Sequence, residues 1–185
     1  NEKLQASGLQ TLMSRTENGP YPYVWGDESI DKPLLDLGWE AEYWGATHYI
    51  SIHSNAGPTG EDGENFANYP LYIYKGYDGE PSNWASEDMA SSSILRLYEI
   101  FDEGGGPEPT TYYSPSNPNL RGSSSFYGYT LGALDHSVHG YLAEGYFHTY
   151  SPARHRALNP DWCRQEGVRY FRGIMDYYDG YSGES

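Results

Sequence analysis

Two residues stand where side-chain chemistry is easiest to build. His53 follows the apolar run Tyr49-Ile50-Ser51-Ile52 directly, and Glu144 lies inside HGYLAEGYF, where a carboxylate has no hydrophobic reason to be. A neutral imidazole is a good zinc ligand, and apolar neighbours disfavour the charged form of a carboxylate, which suits proton transfer. In open α/β sheets, ligands sit in the crevice outside the carboxyl ends of the strands. If the two runs are parallel neighbours, His53 and Glu144 share one crevice. Each also has a structural reading. A histidine at a strand end can simply be hydrogen-bonded in place, and Glu144 can be buried by a salt bridge to Arg121 or Arg154. Those arginines would equally serve as substrate contacts.

The remaining candidates read as structural. His136 and His139 have the spacing HxxH, which binds metal on a helix, but here they enter a strand from a loop and read as surface or packing residues, as do His148 and His155. Cys163 falls on an apolar helix stripe and reads as buried filler. The glycine run EGGGPEP follows a helix instead of opening one, so it is no phosphate loop.

The elements that must position these residues alternate. Gly8 to Arg15 (GLQTLMSR) reads as a short buried strand after a helix end. Between Asp31 and Gly45, the residues Leu34, Leu37, Ala41 and Trp44 recur at helical spacing, and Tyr49 to Ile52 follows as a strand. Tyr69 to Lys75 has strand composition, with Pro70 marking an edge or a strand start and the tyrosines expected to face partly outward. A helix from Ser86 to Phe101 carries Ser86 as its cap and Ala90, Ile94, Leu97 and Phe101 as its core face, and the glycines 104–106 stop it. Phe126 to Leu134 and Val138 to Phe147 read as two more strands. Asn159 and Pro160 open a last helix with Cys163, Gly167, Phe171, Ile174 and Tyr178 inward. The pattern predicts a single α/β domain over residues 1–185, with a mostly parallel or mixed twisted sheet covered by helices on both faces.

Composition bounds the function. The 185 residues fit one domain of the usual size, roughly 100–200 residues. With 11 Lys and Arg against 26 Asp and Glu, the net charge of -15 repels nucleic-acid phosphates and anionic membranes. No apolar run is long enough to span a bilayer, and a single cysteine makes no internal disulfide. Acidity together with 20 tyrosines suggests an exported protein that handles sugars. The sequence opens at Asn1 without a signal-like pattern or an initiator Met, so a preceding segment is expected.

Taken together, these motifs carry a resemblance. GATHYISIHSNA resembles the strand of zinc-dependent N-acetylmuramoyl-L-alanine amidases that delivers a metal-binding histidine, and LQTLMSRT, the Leu34 helix and this strand follow in the family's order. NLRGSSSFYGYTLGAL is similar to the family's arginine-glycine loop and following strand, HGYLAEGYFHT to its Val-Glu-Ile-Gly-Phe strand, and QEGVRYFRGIMDYY to its terminal helix. By position, His53 matches a zinc ligand and Glu144 the catalytic carboxylate, with Arg121 and Asn55 as candidate substrate contacts. The family's other two ligands, a His in a Gly-His-Gly-Gly-like strand end and a Glu on the first helix, have no match. Glu2 stands too late in its helix for that role, so the N-terminal strand and first helix are expected to be absent.

The resemblance implies hydrolysis of the amide between N-acetylmuramic acid and L-alanine in peptidoglycan or a muropeptide, outside the cytoplasm. It also implies a Zn2+ cofactor and Glu144 moving the protons. Two other classes compete: a non-catalytic amidase-fold module that binds glycan or peptidoglycan, and a glycoside hydrolase pairing Glu144 with a second carboxylate about 5–9 Å away.

Overall fold

A computed structural model describes residues 1–14, 34–57, 68–102, 119–127, 134 and 138–180. Its centre is a four-stranded mixed sheet of β1 (His48–Asn55), β2 (Leu71–Tyr74), β3 (Leu120–Gly122) and β4 (His139–Phe147), in the order β1-β4-β2-β3. β1 runs parallel to β4 and β2 parallel to β3, while β2 and β4 are antiparallel. The helices are α1 (Glu2–Ala6), α2 (Leu34–Trp44), α3 (Trp84–Asp102), α4 (Ser123–Tyr127), α5 (Ser151–Ala157) and α6 (Pro160–Tyr178). Among the described residues, no helix is long and apolar enough to cross a membrane.

The main core lies between the sheet and the pair α3 and α6. Tyr72, Tyr74, Tyr141 and Ala143 on the strands meet Met89, Ala90, Ile94, Leu97 and Tyr98 on α3 and Tyr170 on α6. Burying a side chain such as Ile94 contributes about 1.5–3 kcal/mol. The opposite face of the sheet gathers a smaller cluster of Leu71, Ile73, Leu142 and Leu134. Where α3 and α6 cross, Gly173 lets the helices touch: a Cβ there would stand 2.4 Å from Ser93 Cα. Charge reinforces the crossing, because Glu99 on α3 accepts from Arg96 and Arg172 and forms an ion pair with Arg169 at 3.1 Å, and Arg96 also reaches Asp176 at 2.5 Å.

Several sequence expectations change. Residues 9–13 form no strand, and Leu12 and Met13 are about half exposed; a strand persists only where a neighbour takes its backbone groups, and β1 is an edge of the described sheet. Arg15 lies outside the described residues. Tyr72 and Tyr74 are fully buried instead of facing outward, because β2 is flanked by β4 and β3; Pro70 precedes its first residue, which removes the edge reading. The expected strand from Phe126 begins as helix α4, and β3 lies just before it. Tertiary contacts hold this segment: Gly76 N donates to Ser123 Oγ and Asp78 N to Ser125 Oγ, so the serines bind the backbone that follows β2.

Ser86 is not the cap of α3 but sits inside it, buried, its hydroxyl accepting from Gly140 N at 3.0 Å. The glycines 104–106 and His136 lie outside the described residues. Trp44 is 44 % exposed and so leaves the inward face of α2. On α6 the inward face is Trp162, Arg169, Tyr170, Gly173 and Ile174, while Cys163, Gly167 and Tyr178 are exposed. The close approach at Gly173 sets that rotation, and a count of apolar residues could not weigh it. Helix α5 has no counterpart among the sequence expectations.

Candidate active site

The parallel ladder joins the two chemical residues directly. His53 on β1 pairs with Glu144 on β4, and on the other side of β4 the antiparallel ladder pairs Glu144 with Leu71. Register partners project from the same face, so Ser51 and His53, Leu142 and Glu144, and Leu71 and Ile73 line one surface, opposite the face packed by α3 and α6. Both side chains stand near the carboxyl ends of their strands. β1 does not stop at His53, as the sequence suggested, but continues to Asn55.

Just beyond this rung the pairing shifts, since Asn55 faces Phe147. One residue of β1 therefore opposes two of β4, a bulge that returns Phe147 to the Glu144 face, where its ring meets Tyr69 at 4.8 Å. The crevice mouth is tied by Ser54 Oγ with His148 Nδ1 at 3.1 Å, by His148 N donating to Asn55 O at 2.9 Å, and by Gly57 N donating to Thr149 Oγ1 at 3.0 Å.

The electrostatics follow from partial burial. His53 has its pKa lowered by desolvation and is neutral at neutral pH, with Nε2 2.8 Å from Ser51 Oγ. Glu144 has its pKa raised, again by desolvation. The salt-bridge explanation does not hold among the described residues: neither arginine pairs with Glu144. Arg121 stands on β3 opposite Ile73, two strands away on the same face, with Nη1 donating to Leu120 O at 2.7 Å. Arg154 reaches Ser151 Oγ from α5. Asn55 turns its side-chain oxygen to Ala56 N at 2.7 Å, a turn-forming contact. His139 begins β4 at the far end of the sheet, beside His48, and His155 is exposed on α5.

No protein-family model matches the sequence, and no curated protein matches it. Solved structures do. The chain superposes on the N-acetylmuramoyl-L-alanine amidase AmiC2 of Nostoc punctiforme at 21% identity, with a TM-score of 0.64 over 95% of this chain and 76% of that one. The apo form of the amidase Ami1 from Mycobacterium abscessus gives a TM-score of 0.66 at 17% identity, over 96% and 72%. The chain has the amidase fold. CwlD amidase from Clostridioides difficile, solved in complex with the GerS lipoprotein, shares that fold at a TM-score of 0.66 and 14% identity, over 97% and 80%.

Within the amidase fold, His53 has the neutral donor that zinc prefers, but catalytic zinc rests on three protein ligands. Among the described residues no three His, Cys, Asp or Glu side chains converge. The described residues alone therefore do not fit a catalytic zinc. Sequence reading missed two features: the Ser51 contact to His53, which only the alternation of the strand exposes, and Glu166 behind β4, hidden because its partners come from other elements.

Proposed function

We propose that the chain is one amidase domain that hydrolyses the amide between N-acetylmuramic acid and L-alanine in peptidoglycan, acting outside the cytoplasm. The observation that carries this reading is the direct register pairing of His53 with Glu144 on adjacent parallel strands of an amidase fold. Glu144 is the proton-handling group. Its raised affinity for protons lets it take one from the attacking water and return one to the leaving amine of L-alanine. His53 is proposed as one ligand of a zinc ion, and Arg121 and Asn55 as contacts to the muropeptide. Because the described residues hold one ligand, no step is assigned to the metal.

A second reading, a non-catalytic module of amidase fold that binds peptidoglycan, draws support from that same single ligand. Metal analysis and turnover separate the two. Stoichiometric zinc at neutral pH together with peptide release from a muropeptide supports the enzyme. Metal-free protein that binds peptidoglycan without releasing peptide supports the module. In an active protein, Glu144→Gln should lower peptide release by about 10²–10⁴-fold while leaving the metal content unchanged; undiminished turnover would remove Glu144 from the role.

A further inference from the structure

Directly after Glu144, the strand presents a bare Cα to α6. A Cβ on Gly145 would lie 2.6 Å from Glu166 Oε1 and 3.4 Å from the Tyr170 hydroxyl, so the Glu166 carboxyl fills the space that a side chain at 145 would need. This contact falls at the bulge, where the β1–β4 ladder passes from His53 paired with Glu144 to Asn55 paired with Phe147. A bulged segment has lost part of its ladder and needs support from elsewhere. Desolvation raises the Glu166 pKa, so a carboxyl here is costlier than an apolar side chain that would serve packing alone. It is partly buried, the hydroxyls of Tyr170 and Tyr72 stand beside it, fully buried, and Arg156 and Tyr146 line the same small cavity.

We propose that Glu166 is a positioning residue for Glu144: its carboxyl bears on the Gly145 backbone from the helix side, fixes where the bulge begins, and so aims the Glu144 side chain along the His53 rung. The consequence for turnover rests on the reading of Glu144 as the catalytic carboxylate; the contact itself does not. α6 is held at the required depth by Gly173 against Ser93 and by the arginines on Glu99.

The test compares wild type, Glu166→Gln and Glu166→Ala by two readouts, the titration of the Glu144 carboxyl followed by carbon-13 NMR and the kcat and KM for muropeptide cleavage. Glu166→Ala should move the Glu144 titration toward that of an ordinary glutamate and lower kcat by about 10–100-fold with KM unchanged. Glu166→Gln, which keeps the shape of the contact, should retain wild-type behaviour in both. An unmoved Glu144 titration and an unchanged kcat in Glu166→Ala overturn the proposal, as does a glutamine variant that matches the alanine one. Should Glu166→Ala fail to fold, Gly145→Ala presses on the same contact from the strand side, and an unmoved Glu144 titration there overturns it equally. A wild-type protein that releases no peptide, with a Glu144 titration that still moves in Glu166→Ala, keeps the positioning role and sinks the amidase reading.

Discussion

Glu144 shows how one rung of a sheet can tune a carboxyl without a charged partner. Its neighbours across the ladder are His53 and Leu71, and partial burial alone raises its proton affinity. For a general base this fixes a sign: the base form is lost as pH falls through the raised value. The acidic limb of kcat/KM against pH should therefore lie above the ordinary glutamate range, and a limb at or below about 4.5 would assign the base elsewhere. His53 leans the other way, held neutral by burial and ready to donate a lone pair. Cys163, exposed on α6, donates to Ala157 O at 3.3 Å and lines the small cavity behind β4 without meeting the His53–Glu144 rung. Cys163→Ser should change stability by no more than about 0.5 kcal/mol in chemical denaturation.

The helices α3 and α6 set the depth at which everything behind β4 sits. Their crossing has no room for a methyl group at Gly173, where the obstacle is backbone at Ser93 and not a flexible side chain. Gly173→Ala should cost about 1–3 kcal/mol, read from the denaturation midpoint, and a neutral result would show that the helices are free to part. Ile94 is fully buried in the same interface, and Ile94→Ala should cost about 2–5 kcal/mol. The two variants differ in kind, one overfilling the contact and the other emptying it. Only the first would be expected to shift α6 against the strand that carries Glu144.

Over the molecule as a whole, the far end of the sheet carries a titrating device. His48 and His139 are register partners with ring centroids 6.1 Å apart, and His48 also meets the hydroxyls of Tyr177 at 3.2 Å and Tyr178 at 3.0 Å at the end of α6. Burial, with a smaller contribution from His139, lowers the His48 pKa to about 4. A histidine that resists protonation when folded binds fewer protons than the unfolded chain between its two pKa values. Stability is therefore lost as pH falls from about 6.5 to about 4, by at most about 1.4 kcal/mol per pH unit. Denaturation at pH 7 and pH 4.5 should show a larger loss for wild type than for His48→Gln; equal losses would assign acid sensitivity to other groups. Glu144 acts oppositely, since its raised pKa makes the folded state less stable as pH rises through that value.

The sequence by itself determined which residues could do chemistry and most of the regular elements. Runs such as Tyr49 to Ile52 and Val138 to Phe147 are apolar and β-branched or aromatic enough to specify strands, and the polar residues placed in them, His53 and Glu144, are conspicuous for that reason. Tertiary structure decided what those residues face. The register that sets His53 opposite Glu144, the bulge beyond it, the inward face of α6 and the burial of Tyr72 and Tyr74 all depend on which strand or helix lies alongside. Local preference acts over a few residues, whereas β1 and β4 are about ninety residues apart in the chain. Only the pairing that buries both faces of β4 and β2 brings His53 to Glu144, and Glu166 to Gly145 behind them.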